Sequence, residues 1–290
     1  MSYMELFGNF LHNQNKSKHT MKSYLSDMKQ FLIWRENSSG DVEFTPSMIT
    51  RLDIVQYKNH MLTVAGRKSS GVNRALSAIV AFCAWARMEG YTQENPAVII
   101  SWTKPVKNPP KSLSEPEQEL LLQEIHRSGN RRDIAMVQLM MGAGLRIGEV
   151  ESLNLADLQL TDRNGMVAIR EAMGRKYRMV PLNMDICKAL HAYLAVRPGR
   201  GEALFISQKG GRLTSNAIWK VIKKYGKSAG INDLTPQSLR HTFGILLIQK
   251  HNVDIATTAA LMGHENIAST AVYAKAGWKE MMEVVEKLSR

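Results

Sequence analysis

"GMVAIREAMGRKYRMVPLN", residues 165–183, is the stretch where this chain stops reading as helix. Apolar and β-branched residues alternate on either side of Gly174, the pattern of two strands joined by a basic turn. Helical spacing takes over in both directions. Upstream, "RRDIAMVQLMMGAGLRIGEVESLNLADLQL" (131–160) reads as a helix, a break at Gly142 and Gly144, and a second helix opening around Arg146. Downstream, "TSNAIWKVIKKYGKSAG" (214–230) sets Lys220, Lys223, Lys224 and Lys227 on one helical face, with Ile218, Val221, Ile222 and Tyr225 largely on the others. The expected fold class is mainly α with a small β-sheet.

Further upstream, "SWTKPVKNPPKSLSEPEQ" (101–118) places Pro105, Pro109 and Pro110 among lysines, which blocks helix continuation and stiffens the chain. Residues 104–112 therefore read as a linker. Ser114 followed by Glu117 is a capping-box signature that restarts helix. Ahead of the linker, the segments 17–37, 45–62 and 69–90 carry apolar residues at helical spacing with basic flanks, Thr45 and Ser70 as N-caps and Gly90 as a C-cap. Two domains follow, an all-helical one over 1–103 and a mixed one over 113–290.

With 290 residues, 44% of them hydrophobic, the chain can bury substantial cores. Its 38 Lys and Arg against 26 Asp and Glu leave a net charge of +12, which favours a polyanionic partner, nucleic acid before an acidic membrane. The lysines of 220–227 fit either a solvated face or an anionic partner that relieves their mutual repulsion. The longest apolar run, "ALSAIVAFCAWA" (75–86), is too short to span a bilayer, and the polar N-terminus has no cleavable apolar region. Cys83 and Cys187 lack metal-ligand or disulfide-framework spacing, so no metal is expected and a reducing cytoplasm fits.

Four short motifs occur in order: "GAGLRIGEVESL" (142–153), "AMGRKYRMVPL" (172–182), "TPQSLRHTFG" (235–244) and "LMGHENIASTAVY" (261–273). Together, behind a helical and basic N-terminal part, they resemble the tyrosine recombinase (phage integrase) family over essentially the whole chain, with a size most similar to Xer-type recombinases and transposon-encoded resolvases. The resemblance implies a two-domain C-shaped clamp around double-stranded DNA, with a helical core-binding (SAM-like) domain ahead of the catalytic domain. It implies site-specific cleavage and rejoining through a 3′-phosphotyrosyl intermediate and a Holliday junction, a homotetramer on two synapsed recombination sites, and no metal or cofactor. The amphipathic tail 278–290, with Trp278, Met281, Met282, Val285 and Leu288 on one stripe, is then expected to contact the neighbouring protomer.

The same resemblance assigns roles. Arg146, at a helix start that already favours an anion, clamps the scissile phosphate, and Glu149 three residues on supports it; an ion pair between these two would also form without a ligand. Arg240 supplies a second guanidinium, with His241 beside it as a structural residue. His264 hydrogen-bonds a non-bridging oxygen, and Tyr273, nine residues further on, is the nucleophile. Two positions depart from the family pattern. Gln237 stands three before Arg240, where the family has histidine or lysine, and Met173 stands eight before Pro181, where it has the lysine that protonates the leaving oxygen. Lys176 in the same turn is the replacement acid, or else the turn, with Arg175, merely touches the DNA backbone. Lys220, Lys223, Lys224 and Lys227, together with Lys68 and Arg74 of the first domain, are the expected DNA contacts. Two rival readings remain: a DNA-binding clamp whose cleavage is attenuated or lost, and a type IB topoisomerase-like enzyme.

Overall fold

Two separate apolar cores organise the chain. The computed structural model describes residues 2–39, 43–104, 111–162, 164–170, 178–199, 201–264 and 268–271. These fall into units spanning Met1–Asn108 and Pro109–Arg290. Met173, Arg175, Lys176, Tyr273 and the tail 278–290 lie outside the described residues.

The first unit holds α1 (Tyr3–Asn13), α2 (Lys18–Ser39), α3 (Arg51–Thr63) and α4 (Ser69–Met88). Helix α4 runs through its centre, because Val72, Ala75, Leu76, Ile79, Phe82 and Cys83 recur at three- and four-residue intervals and all face inward. Phe82 packs edge-on against Phe7 of α1, with ring centroids 5.2 Å apart, and against Trp85 at the same distance. Helix starts are set by reciprocal caps. Ser2 and Glu5 open α1, and Thr50 and Asp53 open α3. Thr45 instead precedes a single 3-10 turn, Pro46–Met48, since the acidic residue that can return the cap bond lies three after Thr50. Ser70 sits within the first turn of α4 rather than before it.

The second unit contains α5 (Glu115–Arg127), α6 (Arg131–Gly142), α7 (Ile147–Ser152), strands β1 (Leu158–Leu160), β2 (Gly165–Ile169) and β3 (Arg178–Leu182), then α8 (Met184–Leu194), α9 (Ser215–Ser228), α10 (Pro236–Ile245), α11 (Ile255–Met262) and α12 (Ala268–Ala271). A five-residue π turn, Leu246–Lys250, extends α10. The Ser114–Glu117 capping box opens α5 as the sequence suggests. Helix α6 is the spine, with Ala135, Met136, Leu139 and Met140 fully buried.

The sheet is antiparallel in the order β1-β2-β3, with Val167 opposite Val180 and Gly165 opposite Leu182. Val167, Ile169, Val180 and Leu182 point into the same core as α6. Strand β1 departs from the helical reading of residues 131–160. Helix α7 stops after six residues, the Asn154 amide donates to Asp157 Oδ2 at 2.8 Å, and Leu158 and Leu160 pair with Val167 and Gly165. Leucines at 153, 155, 158 and 160 suit either period, so the pairing partner decides. Among the described residues no helix is long and apolar enough to cross a membrane.

Candidate functional site

Helix α11 ends in a way that creates an acceptor surface. Asp254 caps its start, and Gly263 ends it in the left-handed conformation, φ 61°. The Gly263 and His264 amides fold back onto the carbonyls of Ala260 and Ala259, the two bonds of a Schellman motif. Each of the next three carbonyls accepts from an arginine. Leu261 takes Arg178 Nε at 3.4 Å, Met262 takes Arg240 Nη2, and Gly263 takes Arg146 Nη2 at 2.7 Å. The negative end of the helix dipole thus faces three cations.

A single carboxylate binds two of them. Glu149 Oε1 accepts from Arg146 Nη1 at 2.8 Å and from Arg178 Nη1 at 2.9 Å. Its Oε2 accepts from the Arg146 backbone amide at 2.8 Å and from Arg178 Nη2 at 3.0 Å. Burial alone would raise the Glu149 carboxyl, yet the hydrogen bonds and charges of Arg178 and Arg146 outweigh it and hold the group below the usual carboxylate range.

Three different routes deliver the arginines. Arg146 is the residue before α7, placed there by the glycine-broken turn after α6. Gly144 in that turn is left-handed, φ 64°, and its α-carbon lies against the Phe243 ring of α10, so a side chain has no room. Its carbonyl accepts from Arg240 Nη1 at 2.5 Å. Arg240 comes from α10, which starts at Thr235 with Pro236 in its first turn, and is only 2% exposed. Arg178 rises from β3 on the same face as Val180 and Leu182.

His264 follows directly and gives Nδ1 to a 2.7 Å hydrogen bond with Thr270 Oγ1, a fully buried hydroxyl on α12. Burial first, then the charges of Arg240, Arg146, His241 and Arg178, push its pKa down to about 4. The ring is therefore neutral near pH 7 and can donate a hydrogen bond without adding charge. His241, half-buried on α10, is also lowered, by burial and by Arg240.

The structure thus gathers Arg146, Glu149, Arg240, His241 and His264 from three separate stretches of sequence. Gln237 lies exposed on α10, three residues before Arg240. Lys220, Lys224 and Lys227 are exposed along α9, whereas Lys223 is half-buried, donating to the Asn232 carbonyl at 3.2 Å and lying over the Trp219 ring. In the first unit Lys68 is exposed at the start of α4, and Arg74 is bound through Nε and Nη2 to the buried carboxylate of Asp27. Arg178 and Thr270 are the site residues that the motifs did not bring out. The signal for Arg178 was its register, since a cation on the inward face of a strand must find a buried partner. Nothing in the sequence singles out Thr270.

Within the cluster, among the described residues, three guanidiniums meet one carboxylate and two histidines held towards neutrality. This leaves guanidiniums in excess of carboxylates among the described residues, in a partly buried place. Such an excess is costly unless an anion supplies the balance, and paired planar forks suit the oxygens of a phosphate. No group of His, Cys, Asp and Glu that could hold a metal occurs among the described residues.

Comparison with known proteins agrees with this chemistry. Residues 111–279 match the phage integrase family and residues 4–90 match the phage integrase N-terminal SAM-like domain. This chain belongs to the phage integrase family of tyrosine recombinases. Tyrosine recombinase XerA of Thermococcus kodakarensis is 31% identical over 98% of this chain and 94% of its own. Tyrosine recombinase XerD of Oceanobacillus iheyensis is 30% identical over 97% and 96%. Among solved structures, the Tn1549 transposon integrase in complex with circular intermediate DNA superimposes with a TM-score of 0.74 at 20% identity, covering 98% of this chain and 99% of that one, a likeness of fold.

The depressed histidine carries a sign. Its folded pKa of about 4 lies below the ordinary value of about 6.5, so its contribution to stability is complete above about pH 6.5 and is lost as pH falls towards 4. In an NMR titration of the free protein the His264 ring should stay neutral down to about pH 5. A midpoint near 6.5 would mean that the cluster does not crowd it with positive charge.

Proposed function

We propose that this chain is a site-specific DNA recombinase that cuts and rejoins strands through a 3′-phosphotyrosyl intermediate. The observation that carries the reading is the cluster of Arg146, Arg178 and Arg240 gathered at the Gly263 turn, a turn that lies just ahead of Tyr273 in the sequence. Tyr273 attacks phosphorus, the bond to the 5′-oxygen breaks, and the phosphodiester energy is kept in the new tyrosyl link. Neither a metal nor a nucleotide is required. A free phenol, with a pKa near 10, is a poor nucleophile, and Arg146 and Arg240 lower the cost of its attack by holding the charge that builds on the non-bridging oxygens. His264 donates a third hydrogen bond. Glu149 holds Arg146 in place, and Lys176 gives the proton that the leaving 5′-oxygen needs.

Residues 1–103 and 113–290 act as the DNA-binding and catalytic domains of this enzyme, joined by the linker 104–112. Four protomers pair two recombination sites, with the tail 278–290 on the neighbouring protomer and the exposed lysines of α9 on the phosphate backbone. A net charge of +12 suits a protein working on the nucleoid in the cytoplasm. The integration, excision or resolution event it serves is set by the DNA sequence it recognises.

A duplex from beside its own gene, nicked so that cleavage is trapped, should give a covalent protein–DNA band on a denaturing gel, and Tyr273→Phe should abolish it while leaving binding intact. Tight specific binding without a band would instead favour a clamp that no longer cuts, and relaxation of plasmids without a preferred site would favour a topoisomerase. Replacing Lys220 or Lys224 by alanine should weaken binding to all sequences alike and lower the salt slope by about 0.9 for each phosphate that the variant no longer neutralises. An unchanged slope would remove α9 from the interface.

A further inference from the structure

Arg178 reaches the cluster from the sheet and grips the Glu149 carboxylate side-on, one Nη atom to each oxygen. All three guanidinium nitrogens are bonded within the protein, Nε to the Leu261 carbonyl and both Nη atoms side-on to Glu149. Its side chain is 13% exposed, against 39% for Arg146. Three of its five N–H donors are thereby committed to the carboxylate and the helix end.

Its effect falls on its neighbours. A carboxylate has about four acceptor positions, and Glu149 fills them in pairs, one bond from Arg146 and one from Arg178 on each oxygen. Removing Arg178 would leave the carboxylate held by Arg146 alone, with half of its bonds gone and its last, soft torsion less restrained. Arg178 also lies where a side chain of Gly263 would be, with Nη1, Cζ and Nε within 2.6–2.9 Å of that position. The guanidinium is thereby packed against the turn whose carbonyl holds Arg146 and whose next residue is His264.

We propose that Arg178 is a positioning residue for strand cleavage: it fixes the plane of Glu149 and the Gly263 turn, and so sets where Arg146 and His264 meet the phosphate. This rests on the recombinase reading of the site. Lysine keeps the charge but has neither the fork nor the flat face, so it cannot substitute.

The test compares wild type with Arg178→Met, Arg178→Lys, Glu149→Gln and the Arg178→Met/Glu149→Gln double variant, each checked for folding by circular dichroism. Affinity for the duplex, the single-turnover rate of adduct formation against pH, and the Glu149 carboxyl titration by carbon NMR are read together. Both Arg178 variants should bind DNA within about twofold of wild type and form adduct about a hundredfold more slowly. In Arg178→Met the Glu149 carboxyl should titrate at higher pH, carrying the acid limb of the rate profile upward with it. Besides Arg146 and Arg178 at that carboxylate, the ionisable groups of the cluster among the described residues are Arg240, His241 and His264, and titration of the two histidines marks any wider rearrangement. The double variant should cleave no more slowly than Glu149→Gln alone. Rates that fall only in proportion to the folded fraction, full rescue by lysine, or an unmoved Glu149 titration would overturn the proposal. If wild type itself forms no adduct, the recombinase reading fails, and the Glu149 titration still decides whether Arg178 positions that carboxylate.

Discussion

Three arginines that repel one another are held together by the last carbonyls of one short helix and by one buried carboxylate. Helix α11 offers the oxygens of Leu261, Met262 and Gly263 in succession, with the negative end of its dipole, about half an elementary charge, behind them. Glu149 supplies a full negative charge to two of the three. These acceptors fix the guanidiniums in space, and among the described residues the cluster holds more guanidiniums than carboxylates. The result is a preorganised electrostatic field in a partly buried place, where charge counts for more than it does at an open surface.

The rest of the second unit can be understood as what brings those groups to one point. Arg146 depends on the left-handed Gly144, which depends on close approach to Phe243, which belongs to the same helix as Arg240. Arg178 depends on strand register, and a shift of one residue would turn it to the opposite face together with Val180 and Leu182. Gly263 serves twice, giving the helix its left-handed end and leaving room for the Arg178 guanidinium. The elements that carry the three arginines, α7, β3 and α10, all contribute side chains to the core around α6.

Much of this was legible in the amino-acid sequence, and the reasons differ from residue to residue. Helices with strong caps, such as the one opened by Ser114 and Glu117, announce themselves locally. The β2–β3 pairing followed from alternation around Gly174, whereas β1 did not, because its leucines fit two periods and only contact with β2 selects one. Arg146, Arg240 and His264 were found through short motifs that recur in the family. Arg178 and Thr270 were hidden because their importance lies in the partner they meet, Glu149 and His264, which stand 29 and 6 residues away. Arg74 shows the reverse case: its charge suggested DNA, and the structure gives two of its nitrogens to Asp27.

Two departures from the family pattern, Met173 and Gln237, remove groups that can move protons and leave intact the groups that hold charge. In the proposed reaction the charge is therefore held by Arg146 and Arg240, with His264 as a neutral donor and Lys176 as the acid. A crystal structure of the Tyr273→Phe protein on an uncleaved recombination site tests this most directly. The scissile phosphate should sit within hydrogen-bond distance of both Arg146 and Arg240, with Glu149 still bridging Arg146 and Arg178. A phosphate held only by the lysines of α9, with Arg146 and Arg240 still turned to the Gly263 and Met262 carbonyls and no DNA oxygen near them, would contradict it.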